Sequence, residues 1–135
     1  MTREYINPPE LGPARGYTHV VRASGEWWIF VSGQVASDER GEIIGRTDLR
    51  AQAERAFRNL GAALAAAGAR FEDVVKLTIY IVGATPEAVA LVREVRRQFF
   101  RSSSPPASTL VGVQSLAREG ALIEIEAIAL LEGAS

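Results

Sequence analysis

Val74-Val75-Lys76-Leu77-Thr78-Ile79-Tyr80-Ile81-Val82, followed after Gly83-Ala84 by Thr85-Pro86-Glu87-Ala88, is the stretch from which the fold can be read. Its first nine residues are rich in β-branched and aromatic side chains, which fit a pleated, half-buried surface and predict a strand. Alternation sends Val75, Leu77, Ile79 and Ile81 to one face and Lys76, Thr78 and Tyr80 to the other. A helix then starts with Thr85 as cap and Pro86 in the first turn, where its missing N–H costs nothing. Ala88, Val92, Val95 and Phe99 form its buried stripe, and the serine- and proline-rich segment 101–106 ends it. The apolar strand face is expected to lie under helices.

Working outward, apolar residues recur at Leu49, Ala53, Ala56, Phe57, Leu60, Leu64 and Ala67, one face of an earlier helix. Thr47 or Asp48 caps its start, and Gly68 is placed to stop it. Before it, Thr18 to Ala23 and Trp27 to Ser32 read as a hairpin turning at Ser24-Gly25-Glu26. Residues 1–16, with Pro8, Pro9, Pro13, Gly12 and Gly16, read as an irregular N-terminal arm. Two final strands are expected at Ala107 to Gln114 and Leu122 to Leu130. The order is β-β-α-β-α-β-β, an α+β fold in which two helices cover one face of a sheet. At 135 residues the chain is expected to form one domain, 1–135.

Composition narrows the chemistry. Zero cysteines remove disulfides, thiolate nucleophiles and cysteine-held metals, and a single histidine, His19, removes most other transition-metal sites. No metal and no cofactor are expected. The net charge of −1 gives no overall field toward nucleic acid or anionic membranes. The first residues lack the apolar core of a secretory leader and no segment is apolar enough to span a membrane, so a cytoplasmic protein is expected. Phosphate-loop, nucleophile-elbow, dinucleotide and zinc-protease motifs are absent. Arg93, Arg96, Arg97 and Arg101 lie at helical spacing and read as a solvated face beside Glu87 and Glu94, which disfavours nucleic acid as a partner.

The face of the sheet away from the helices is the informative one. It would carry Lys76, Thr78, Tyr80, Glu124 and Glu126 beside Ile128, Leu130, and Val111 or Leu110. Such a surface is too apolar for free water and too charged for a dry core, so a partly polar interface between identical chains is expected to cover it. Glu124 and Glu126, two apart on one strand, point the same way. One can pair with Lys76 or an arginine, the expected fate of Glu126, while the other, partly desolvated in a cleft, positions or deprotonates a water. The spacing does not choose between them.

Ser32-Gly33-Gln34 after a hydrophobic strand, Ala51-Gln52 in the first turn of a helix, Asp73-Val74-Val75-Lys76-Leu77-Thr78, Pro106-Ala107, and the closing Ile123-Glu124-Ile125-Glu126-Ala127-Ile128-Ala129 together resemble the RidA family, also called YjgF or endoribonuclease L-PSP. The likeness runs from about Tyr17 to Leu130. It implies a chorismate-mutase-like fold, a homotrimer with a central barrel of sheets, and a small-molecule site in each cleft between subunits. It also implies hydrolysis of enamines and imines to 2-oxo acids and ammonia, with a glutamate of the last strand holding the water. Glu124 matches that glutamate, Tyr17 a tyrosine of the site, and Ser32 and Gly33 the loop that contributes backbone groups.

The family's carboxylate-clamping arginine follows Pro-Ala, and here Ser108 and then Thr109 stand there, with Leu110 in place of the usual cysteine. A hydroxyl cannot replace two charge-assisted bonds at about 1.5–3 kcal/mol each, which favours a small, less acidic ligand. Arg15 or Arg118 could reach the cleft instead. His19 has two readings, the mouth of the pocket or a strand histidine bonded to backbone. The leading expectation is a homotrimer that binds a small metabolite between subunits through Tyr17, His19, Ser32, Gly33, Ser108, Thr109 and Leu110, with Glu124 as the catalytic carboxylate. The alternatives are a true 2-iminobutanoate/2-iminopropanoate deaminase despite Ser108, and an endoribonuclease or translation inhibitor.

Overall fold

A computed structural model describes residues 2–101 and 103–133. In chain order the elements are β1 (Arg3–Ile6), β2 (Val20–Ala23), β3 (Trp27–Gln34), α1 (Leu49–Ala66), β4 (Val74–Val82), α2 (Pro86–Arg96), β5 (Ala107–Val113) and β6 (Ile123–Leu131), with single 3-10 turns at Pro9–Leu11 and Phe71–Asp73. The main sheet has the order β3-β6-β4-β5. Only β4 and β5 run parallel, and α2 supplies the crossover that a parallel pair requires.

The helices begin where their caps allow. Of the two candidates before α1, Asp48 is the cap, accepting a bond from the Ala51 N–H, and Thr85 does the same for α2 through the Ala88 N–H. Phe57, Leu60 and Leu64 of α1 and Val92 and Val95 of α2 are completely buried against Leu77, Ile79, Ile81, Ile123 and Ile125. Each large side chain so buried contributes about 1.5–3 kcal/mol of transfer free energy, so the helical face of the sheet is where the fold is held together. Among the described residues no helix is long and apolar enough to cross a membrane.

Two expectations are corrected. The arm is not irregular throughout, because Arg3–Ile6 is a strand, and β2 pairs antiparallel with it rather than with β3. Arg3 explains the first point: its guanidinium donates to the Asp73 carbonyl at 3.1 Å and the Leu130 carbonyl at 2.7 Å and lies 3.5 Å from the Asp73 carboxylate, which ties the chain start to the sheet. Gly25 explains the second. A Cβ there would lie 2.9 Å from the Leu131 carbonyl, so the Ser24-Gly25-Glu26 turn delivers β3 to β6 instead of folding it back on β2. The small β1-β2 sheet joins the main one through a bridge from Thr18 to Ala107.

Gln52, completely buried on α1, staples two loops to the helix. Its amide nitrogen donates to the carbonyls of Gly45 (3.1 Å) and Gly120 (2.8 Å), and its oxygen accepts from the Leu122 N–H (2.8 Å). Gln52→Leu keeps the volume and abandons three backbone groups. It is expected to lower unfolding free energy by about 1–3 kcal/mol for each group left without a partner, read by denaturant melts followed by circular dichroism, and an unchanged midpoint would refute the staple.

Candidate functional site

On the open face of the sheet the register places Lys76 beside Ile128, Thr78 between Glu126 and Thr109, and Tyr80 between Glu124 and Val111. The Tyr80 hydroxyl donates to Glu126 Oε1 at 2.5 Å, and Lys76 Nζ donates to Thr109 Oγ1 at 2.7 Å. Neither Lys76 nor Glu126 therefore takes the cross-sheet ion pair expected of it; a phenol and a hydroxyl satisfy them. The bond to Glu126 raises the Tyr80 pKa above the ordinary phenol value, with smaller contributions from desolvation and from the charges of Glu126 and Glu124.

Glu124 differs from its neighbour. Among the described residues its carboxylate makes no hydrogen bond or ion pair. It rests against a bulge in β3, where pairing with β6 shifts register between Val31 and Gln34. A Cβ on Gly33 would lie 2.2 Å from Glu124 Oε2 and 2.6 Å from Cδ, so the close approach exists only because residue 33 has no side chain. Ser32 and Gly33 are exposed at this corner. The bulge aims backbone and carboxylate into one open space.

The remaining expected residues gather at another corner. Tyr17 and His19 make an edge-on ring contact at 5.2 Å, and His19 Nε2 lies 3.0 Å from the Gly12 carbonyl, which is the backbone-bonded reading of that histidine. Between them Thr18, buried, donates its hydroxyl to the Pro105 carbonyl at 2.6 Å and its N–H to the Pro106 carbonyl at 3.1 Å. Thr109 shares the open face with Lys76, but Ser108 and Leu110, paired in register with Leu77 and Ile79, turn to the helical face. Leu110 packs on the core and Ser108 Oγ accepts from Arg96 Nη1 at 3.4 Å, so within one chain both lie on the face of the sheet opposite Glu124. Val111, not Leu110, is the apolar residue of β5 on the open face.

Three strand spacings of about 4.8 Å and four residues of about 3.3 Å separate the Thr18–Ala107 bridge from Glu124, roughly 20 Å along one sheet. Within one chain the two corners do not meet. Arg118 is engaged elsewhere, donating to the Gly41 carbonyl, whereas Arg15 lines a cavity shared with Arg96. Arg96 is the residue that the site expectation lacked. Read as solvated, it is only 5% exposed. The signal was present: 92, 95, 96 and 99 form an i, i+3, i+4, i+7 set, so Arg96 occupies a core-facing position of α2.

The model of the endoribonuclease L-PSP family matches residues 8–131. The chain belongs to this family, RidA. Protein DfrA of Myxococcus xanthus is 37% identical over 123 residues, covering 91% of this chain and 88% of its own. A 2-iminobutanoate/2-iminopropanoate deaminase of Dermatophagoides farinae is 33% identical over 127 residues, covering 94% and 92%. The structure of a Rid family protein of unknown function, YyfB from Yersinia pestis, superposes with a TM-score of 0.90 at 38% identity, covering 97% of this chain and 100% of that one. These likenesses bear out the α+β RidA fold expected from the sequence.

The Tyr80–Glu126 bond is open to direct measurement. Because the folded phenol holds its proton more tightly than the unfolded one, the stability it contributes is intact below the ordinary phenol pKa and is lost as pH rises through the folded value. Ultraviolet titration is expected to show Tyr80 ionising above the ordinary phenol range. Glu126→Gln should return that transition toward the ordinary range, and an unmoved titration would show that the bond does not form in solution.

Proposed function

We propose that this RidA member is a homotrimer that binds a small imine or enamine in clefts between subunits and hydrolyses it with a water held by Glu124. The observation that carries this reading is the uncommitted Glu124 carboxylate seated on Gly33 while its neighbour Glu126 is occupied by Tyr80. A carboxylate with free lone pairs beside exposed backbone can hold a water and accept its proton. The water oxygen adds to the carbon of the C=N bond while Glu124 takes one water proton and passes it to the nitrogen, giving a carbinolamine; Glu124 then moves the remaining hydroxyl proton to the nitrogen as the C–N bond breaks, leaving a carbonyl compound and ammonia. The name of the Dermatophagoides relative supports the reaction class.

Assembly is supported by what one chain leaves uncovered. Phe30 is 70% and Trp28 60% exposed, stacked on each other at 6.1 Å on the open face, with Val111 also exposed. A contiguous apolar surface among carboxylates calls for a partly polar partner surface. A cyclic trimer joins two different patches at every interface, so the Glu124 corner of one chain can meet the Tyr17–Thr109 corner of the next. That arrangement brings together residues that lie roughly 20 Å apart within a chain.

The test is release of 2-oxo acid from 2-aminoacrylate generated by a coupled enzyme. The protein is expected to accelerate release, and Glu124→Gln to bring the rate down to that of buffer while sedimentation still reports three chains. A wild-type rate equal to buffer sinks the reaction for this substrate; a monomer at micromolar concentration sinks the shared site. Phe30→Asp is expected to shift the assembly toward monomer and to lose activity with it.

A further inference from the structure

At the outer edge of α2 a cavity of about 340 Å³ is lined by Arg15, Arg93, Arg96, Arg97 and Arg101, with Gly16 on its wall and no acidic residue among those that line it. Among the described residues none of these five guanidiniums has a carboxylate within ion-pair distance. Glu94, the one acidic residue between Arg93 and Arg101 in sequence, is drawn toward α1 by Arg50 at 3.0 Å. The buried member, Arg96, meets only the neutral Ser108 hydroxyl at 3.4 Å, a long bond for a charged donor. Burial first, then repulsion from Arg93 and Arg97, lowers its pKa below the ordinary guanidinium value. Buried charge is normally paired, because desolvation otherwise costs several kcal/mol.

The wall is built to admit this guanidinium. Gly16 has φ +78°, and a Cβ there would stand 2.6 Å from Arg96 Nη2. The two bonds from Thr18 to the Pro105 and Pro106 carbonyls hold the Arg15-Gly16 segment against the start of β5. A concave, rigidly walled cluster of arginines differs from the solvated stripe expected from the sequence.

We infer that this cavity is a binding site for a small dianionic metabolite, carrying a phosphate group or two carboxylates, with Arg96 as its buried anchor and Arg15, Arg93, Arg97 and Arg101 around it. One carboxylate accepts two bonds from one guanidinium, so a cluster of five exceeds what a single carboxylate can use and suits an anion with more oxygen acceptors and more charge. The volume is that of a small metabolite. The expectation of a less acidic ligand, drawn from Ser108 alone, is thereby reversed for this corner, since α2 supplies the guanidinium that β5 lacks. The site does not depend on the hydrolytic reading, because Glu124 lies on the other face of the sheet.

Titration calorimetry of the whole protein at low salt tests it, with inorganic phosphate, glycerol 3-phosphate, succinate, acetate and a single-stranded RNA decamer as probes. At least one dianion is expected to bind about tenfold or more tightly than acetate, with affinity falling as salt rises. Preference for the phosphates or for succinate identifies the charged group. Arg96→Gln is expected to weaken that binding about tenfold or more, and Glu124→Gln and Arg118→Gln to leave it unchanged. Should Arg96→Gln fail to fold, the paired exposed changes Arg93→Gln and Arg97→Gln decide the matter with the same expected loss. The proposal is overturned if no dianion binds more tightly than acetate, if the paired variant keeps wild-type affinity, or if the RNA binds and the small anions do not.

Discussion

A sheet has two faces, and this chain supplies helices for only one. Everything under α1 and α2 is closed by the chain itself: Leu77, Ile79, Ile123 and Ile125 meet Phe57, Leu60 and Val95 with no exposure. The other face holds Trp28 and Phe30 in solvent next to a row of phenol, carboxylate, ammonium and hydroxyl groups. The first face is closed within the chain, and the second concentrates the functional groups that a core would reject. Strand β4 belongs to both, alternating between them from Lys76 to Val82.

What could be read in advance follows from the range of the forces involved. Alternation along Val74–Val82 and the 3.6-residue period of the helices are local properties, and Leu77, Ile79 and Ile81, the open face of β4 and the caps at Asp48 and Thr85 are where they predict; Val75 is not, because a register shift against β6 between Val74 and Lys76 puts Val74 in the core in its place. Partner choice is not local. Nothing in Thr18 to Ala23 says that its mate is Arg3–Ile6, because the anchoring bonds of Arg3 run to residues far along the chain. The same limit explains the site. Glu124 is legible from its own strand, but Ser108, Thr109 and Leu110 are assigned to faces by the parallel register with β4, which their short run does not encode.

The net charge of −1 conceals a separation of charge. Two carboxylates, Glu124 and Glu126, stand together on the open face, while five arginines crowd around Ser108 and Gly16 on the other side of the sheet. Each group makes its own neighbourhood expensive to desolvate. The other charges of the chain bring the total to −1, but at the distance of a bound molecule each group acts alone.

The strand order also governs when the sheet can exist. Strand β6, Ile123–Leu131, is the last in sequence of the described elements and lies between β3 and β4 in the middle of the main sheet. Until it has been synthesised, Trp27–Gln34 has no partner in that sheet and α1 lacks the β6 side chains it packs on. Loop closure between β3 and β6 must therefore follow synthesis of Ile123–Leu131, so assembly of the main sheet is late and cooperative rather than progressive from its first strand. During that interval the β4–α2–β5 unit is the part of the sheet whose strands are contiguous in sequence, which makes it the natural place for ordered structure to start.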